Sequence, residues 1–256
     1  MQTTLKETAL ILSYLSVRTF LGLLGFVLPV ALILYSLIFG TGQLETSISE
    51  YYYTPMGDVF VGTLWAMGAF LISYNGYARS DMQKNSGRFR DLLTDRLIST
   101  IAGISVICVA LFPVNPSMIE DQIATGFTFH SNAVHYTAAG IYFTSMAIFA
   151  LVLFTRGDGT EENFFEKNGR KITRIKWTPR NRYFVWCGGA ILAAMLALMG
   201  YFALASLGLS GATDTLDRWN FFLWAEVAAV VAFSAAWLEK GRALISPLNI
   251  ARKLSD

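Results

Sequence analysis

Charge is scarce in this chain. Asp, Glu, Lys and Arg make up 15% of its 256 residues, whereas soluble globular domains carry about 25%. What charge there is falls in short segments between long charge-free runs. That segregation excludes an ordinary soluble domain, because an ionised side chain in hydrocarbon is costly. Cysteine is nearly absent. Cys108 and Cys187 are the only two, and both fall inside apolar runs, which excludes an extracellular disulfide framework and any metal-type cysteine spacing. Histidine is as rare, with only His130 and His135, so a three-histidine zinc centre cannot be built. The formal net charge of +2 is too small to argue for nucleic acid. A cleavable leader is not expected either. The first 18 residues contain Lys6, Glu7 and Arg18 and lack a small-residue cleavage site after an apolar core. The first span is expected to act as its own insertion signal.

Apolar residues, by contrast, are 54% of the chain. A helix needs about 20 of them in succession to cross a bilayer. Six runs approach this: Thr19–Phe39, Val59–Tyr77, Leu97–Val114, Ala133–Phe154, Tyr183–Leu207 and Trp219–Leu238. The expected fold class is therefore all-α, a single six-helix transmembrane bundle over residues 1–256. Loop charge sets its direction. Nineteen of the 20 Lys and Arg lie in the N-terminal segment, the loops 78–96 and 155–182, and the C-terminal tail, leaving only Arg218 opposite. The positive-inside rule then places both termini and these two loops in the cytoplasm. The opposite loops carry Glu45, Glu50, Asp58, Glu120, Asp121, Asp214 and Asp217. Tyr51, Tyr52, Tyr53 and Trp219 fall at the outer boundaries and Trp177, Tyr183 and Trp237 at the inner ones, the positions of an aromatic belt. Residues 7–17 are apolar but too short to span, and form either an interfacial helix or an extension of the first span.

No linker divides the chain and no internal repeat is evident. Short loops between antiparallel spans imply an up-down bundle. Gly22, Gly25, Gly62, Gly68, Gly188 and Gly189 read as close helix contacts, and Pro29 as a kink in the first span. The loop 155–182 ends in KNGRKITRIKWTPRNR, a basic run that either marks topology or lies on anionic head groups.

Three polar features could carry function, all toward the outer side. The first is SISEYYYTPMGDVFVG, residues 47–62. Thr54-Pro55 there resembles a helix N-cap with proline at the first helical position, and Asp58 would complement the helix dipole. Ser47, Ser49 and Glu50 beside Tyr51, Tyr52 and Tyr53 have no such structural explanation and are candidates for a ligand pocket. The second is FHSNAVHY, residues 129–136. Its two histidines stand about 140° apart on a helix and share no face. If a metal were held at all, His130, His135 and Asp58 would be its ligands. The third is Glu226, the one carboxylate well inside a span, which should face a donor such as His135, Asn132 or Tyr142, or a wet cavity. Two further segments read as helix ends: Tyr74-Asn75-Gly76-Tyr77, with Gly76 as cap and the tyrosines as interface anchors, and Pro113-Val114-Asn115-Pro116.

The run SISEYYYTPMGDVFVGTLWAMGAFLISYNGY, followed by ALFPVNP and HYTAAGIYF, resembles a group of uncharacterised bacterial multi-span membrane proteins. That group shares a Ser-x-Ser-x-Tyr-Tyr-x-Thr segment ahead of Asp-x-Phe-Val-Gly. The likeness covers about residues 45–155. It implies the six-span layout in a bacterial inner membrane and brings no activity. The layout is also loosely similar to Frag1/DRAM/Sfk1-type proteins associated with lipid homeostasis, by architecture alone. Hydrolases related to alkaline ceramidases fit poorly, since they use three histidines on seven spans.

No catalytic or cofactor motif is complete, and no cofactor is expected. The leading expectation is a non-enzymatic protein that binds a lipid or small ligand through an outward-facing pocket of Ser47, Ser49, Glu50, Tyr51, Tyr52, Tyr53, Asp58, His135 and Glu226. It would act as a sensor, scaffold or accessory subunit, with membrane lipids, a partner membrane protein or a second copy as partners, and no nucleic acid. The alternatives are an ion- or proton-coupled transporter or channel using Glu226, and an intramembrane lipid-modifying enzyme with or without a metal.

Overall fold

The computed structural model describes residues 2–40, 42–76, 93–114, 131–156, 164–167, 170–173 and 177–241. Helix dominates. Helix α1 runs Gln2–Ile38, α2 Gly57–Ser73, α3 Asp95–Leu111, α4 Ser131–Ile148, α5 Pro179–Ser206, α6 Ser210–Arg218 and α7 Phe221–Gly241. A 3-10 turn over Ile48–Tyr53 precedes α2, and α4 ends in a π-turn over Phe149–Leu153. Among the described residues the strands are those of a short hairpin in the basic loop. Strand β1 (Phe164–Lys167) pairs antiparallel with β2 (Arg170–Thr173), Lys167 opposite Arg170. Residues 7–17 extend α1 rather than forming a separate element, and α1 continues through Pro29.

Among the described residues four segments are long and apolar enough to cross a membrane: Ser16–Ile38, Asn132–Leu153, Pro179–Ser206 and Phe221–Gly241. Helices α2 and α3 have 17 residues each, about 25 Å of rise against a hydrocarbon core of about 30 Å.

The membrane-capable helices are apolar on both faces, as a bilayer solvent demands. In α1, Leu21, Gly25, Leu28, Leu32 and Ser36 follow one another every three or four residues and are buried, while Phe20, Leu23, Val27, Val30 and Leu34 on the opposite side are exposed. Helix α5 shows the most outward surface, with Trp186, Leu196 and Met199 all exposed. No watery exterior explains such a surface. The chain is a helical membrane protein.

The main helices close into a ring in chain order, α1 beside α2, then α3, α4, α5 and α7, which returns to α1. Short approach distances hold two of these seams. At Gly25 an added Cβ would collide with Phe233 and Ser234 of α7. Gly68 of α2 and Gly103 of α3 face each other so closely that a Cβ on either would meet the other's carbonyl oxygen at 3.0 or 2.8 Å. Gly62 and Gly189, by contrast, face open space, so the expected packing role does not extend to them.

Contacts between successive helix ends show the up-down order. At one end Arg18, in the first turn of the membrane-capable part of α1, donates through Nε and Nη2 to the hydroxyl of Tyr74 beyond α2, at 3.0 and 2.7 Å. Arg156 after α4 donates to the Leu93 carbonyl before α3 at 2.7 Å. Lys240 at the end of α7 donates to the Phe154 carbonyl at 3.1 Å, and Arg180 at the start of α5 donates to the Glu239 carbonyl at 3.0 Å. The described Lys and Arg of the bundle gather here, with Arg218 at the other end. Tyr74 is not the interface anchor that its sequence context suggests. It is 1% exposed and packs edge-on against Trp237 and Phe149. Trp237 is likewise buried at 1%. Gly76 does hold a left-handed turn, with φ +60°, where a side chain would also strike Asp95.

Candidate functional site

At the opposite end, the chain leaving α1 does not run straight into α2. It folds over the mouth of the ring, and the 3-10 turn Ile48–Tyr53 becomes a roof. Ser47 starts the turn by accepting the Ser49 amide at its hydroxyl, 3.0 Å. Thr54 ends it. Its hydroxyl donates to the Tyr51 carbonyl at 2.8 Å and accepts the Met56 amide at 3.1 Å. Thr54 therefore closes the roof and does not cap α2, whose N-cap is Met56 without a side-chain bond.

Three side-chain or backbone bonds then tie this turn to three different helices. The Tyr51 hydroxyl pairs with the Ser36 hydroxyl of α1 at 2.9 Å, both residues being buried. The Ile48 amide donates to Glu226 Oε2 of α7 at 2.7 Å, and the Ser47 hydroxyl lies beside the same carboxylate. Ser49 Oγ and His135 Nε2 of α4 stand 2.9 Å apart. The other ring nitrogen, His135 Nδ1, is 2.7 Å from the Phe112 carbonyl just past α3. A carbonyl only accepts, so Nδ1 carries the proton. In the neutral ring Nε2 is then an acceptor, and Ser49 donates to it.

Beneath the roof lies a cavity of about 60 Å³. Its wall is mostly apolar, drawn from α1, α2, α3, α4 and α7, with Leu28, Leu64, Met67, Val106 and Val230 among the lining residues. Three polar residues line it at two levels. Ser49 and Glu226 line it at the roof. Tyr142 lines it from the middle of α4, and its buried hydroxyl has no hydrogen-bond partner among the described residues. A buried hydroxyl left unpaired costs about 1–3 kcal/mol, so the position calls for a partner.

The candidate residues thus divide. Ser47, Ser49, Tyr51, His135 and Glu226 come together in or around the roof. Glu226 takes its donors from the loop, not from His135 or Tyr142. Glu50 turns sideways and accepts from the Thr46 amide and hydroxyl at 3.1 and 2.6 Å. Its charge, after burial, helps to push the Glu45 carboxyl above the usual carboxylate range. Tyr52 and Tyr53 stack edge-on, ring centroids 5.0 Å apart, with Tyr53 exposed. Asp58 is exposed in the first turn of α2. The three tyrosines are therefore not one belt, since Tyr51 is fully buried. Of the residues considered for a metal, His130 lies outside the described residues, Asp58 is exposed, and both nitrogens of His135 already face other groups. Among the described residues no three His, Cys, Asp or Glu side chains cluster to hold an ion.

Sequence reasoning missed Ser36 and the Phe112 carbonyl. The second had a signal. Pro116 stands four residues after Phe112 and has no N–H, so that carbonyl cannot be closed by its helical donor. Compared with protein-family models, curated proteins and solved structures, the chain matches none. The class that the fold and the roofed cavity define, a multi-helix membrane protein with an internal polar-headed pocket, stands on the residues alone.

Proposed function

We propose that this protein binds a lipid or small ligand in the cavity beneath the 3-10 roof and acts as a sensor, scaffold or accessory subunit in a membrane. The observation that carries the reading is the internal cavity itself, mostly apolar in its wall, with Ser49 and Glu226 at its roof and Tyr142 among its lining residues. A site of this kind suits a molecule with an apolar body and a hydrogen-bonding head. Drug-sized pockets span about 300–1,000 Å³, so a cavity of about 60 Å³ admits only a small molecule or the end of one chain of a lipid.

The rest of the proposal concerns placement. Helices α2 and α3 serve as the second and third of six spans, both termini are cytoplasmic, and the roof faces outward. Supporting this, Arg18, Arg156, Arg180 and Lys240 share the end opposite the roof, as the positive-inside rule requires of a cytoplasmic end. The likeness of residues 45–155 to bacterial multi-span proteins favours the bacterial inner membrane. Membrane lipids are the natural partners, with a partner membrane protein or a second copy on the exposed face of α5 as further ones.

Native mass spectrometry of the gently purified protein tests the reading. The wild type should carry a ligand of defined mass. Ala139→Leu, which adds three carbons to the cavity wall, should lose it while melting at a similar temperature. Equal ligand occupancy in both proteins would move the site elsewhere.

A further inference from the structure

Strands β1 and β2 form a sheet of two strands. Such a ribbon is marginal in water and needs a surface to pack against. Its register says what that surface must be. Directly paired positions of an antiparallel ladder share a face, and successive pairs alternate between faces. Phe164↔Thr173 and Glu166↔Lys171 therefore fall on one face, and Phe165↔Ile172 and Lys167↔Arg170 on the other. The first face is balanced, since its glutamate stands opposite a lysine. The second holds two apolar residues, two cations and no acid. Lys167 is directly opposite Arg170, and like charges so placed destabilise a ladder. An anionic surface with an apolar layer beneath it relieves that repulsion and covers Phe165 and Ile172.

The chain keeps the ribbon close to such a surface. Thr173 stands five residues before Thr178, the N-cap of α5. Five residues reach at most about 18 Å, so the base of the ribbon stays within that distance of the start of a membrane-capable helix. Trp177, on the way, is 68% exposed, as an aromatic anchor at a span end is. Residues 167–182 hold seven Lys and Arg and no Asp or Glu. The positive-inside rule explains cations in this loop whatever their order. It does not explain why the register gathers Phe165, Lys167, Arg170 and Ile172 on one face and sets Glu166 on the other.

We infer that this face of the hairpin docks on an anionic lipid surface, with Lys167 and Arg170 on lipid phosphates and Phe165 and Ile172 at the boundary between head groups and acyl chains. Each cation at such a surface favours docking about fivefold. The hairpin then ties the loop between α4 and α5 to the bilayer that those helices enter. The inference depends neither on what the cavity holds nor on which way the bundle faces.

Bimane fluorescence of the full chain in lipid nanodiscs tests this. Phe164→Cys, Phe165→Cys, Ile172→Cys and Thr173→Cys are labelled singly in a Cys108→Ser/Cys187→Ser background, with a lipid carrying a nitroxide high on its acyl chain as quencher. In discs of phosphatidylglycerol and phosphatidylcholine, quenching at 165 and 172 should exceed that at 164 and 173 by about threefold or more. In pure phosphatidylcholine, or with Lys167→Gln/Arg170→Gln added, the difference should vanish. Equal quenching at all four positions overturns the inference, and so does an alternation indifferent to lipid charge. Hydrogen exchange of the unlabelled chain guards against a ribbon broken by its label. The amides of residues 164–173 should exchange about fivefold or more slowly in the anionic discs. Arg170→Gln should reverse this protection, while Lys171→Gln, which removes the same charge from the other face, should not. Equal effects of those two variants overturn the inference, because loop charge would then act without the face. Protection that appears with an RNA oligonucleotide and not with phosphatidylglycerol overturns it in favour of nucleic acid.

Discussion

Glu226 Oε2 accepts the backbone amide of Ile48 at 2.7 Å across 178 residues of sequence. A carboxylate placed inside an apolar helix would be costly alone. Here it serves as the acceptor for a loop amide that has no helical partner. The bond holds the roof to α7, and the two residues share the wall of the cavity below.

Removing that acceptor should loosen the roof. Glu226→Leu leaves the Ile48 amide unpaired, at a cost of about 1–3 kcal/mol. Glu226→Gln retains an acceptor oxygen and should cost less. Thermal unfolding in detergent gives the order, and hydrogen exchange should show faster exchange at Ile48 in the leucine variant. Equal stability of both variants with the wild type would mean that the bond does not secure the loop.

The three adjacent tyrosines should respond differently. Tyr51→Phe breaks a buried pairing with Ser36 and should destabilise by about 1 kcal/mol. Tyr53→Phe removes a hydroxyl from an exposed ring and should change stability by less than about 0.5 kcal/mol. Parallel melting curves of the two variants check this.

At the other end, Tyr74→Phe deletes the acceptor of two Arg18 donors. Bonds to charged groups contribute about 1.5–3 kcal/mol, so this loss should exceed that of Tyr51→Phe. A smaller loss than Tyr51→Phe would show that Arg18 is secured elsewhere.

Orientation can be read in whole cells. In a Cys108→Ser/Cys187→Ser background, Glu45→Cys should react with a membrane-impermeant maleimide, while Trp177→Cys should react only after the cells are opened. The reverse pattern would invert the bundle.

Much of this was legible in the sequence, and the failures have physical causes. The inward stripe of α1 and the apolar runs are periodic signals. Glu226 announced itself as the only carboxylate deep in a span, and its neighbours in space were among the residues marked as polar anomalies. The separate fates of Tyr51, Tyr52 and Tyr53 were not legible, because a 3-10 turn sends consecutive side chains in three directions. Thr54-Pro55 reads as a cap, yet its hydroxyl is taken by the turn before α2. Helix α6 is short and polar, outside any apolar pattern, and went unseen. The hairpin left a readable sign that was passed over. Asn168-Gly169 sits between the paired Lys167 and Arg170, the preferred composition of a two-residue hairpin loop.

The most direct measurement is a density map of the nanodisc-embedded protein at a resolution that shows side-chain hydroxyls. The account predicts continuous density beneath Ile48 and Ser49, apolar along Met67 and Val230, with a polar atom within hydrogen-bonding distance of the Tyr142 hydroxyl. A cavity collapsed onto its own side chains, with the Tyr142 hydroxyl bonded to the protein, would contradict it.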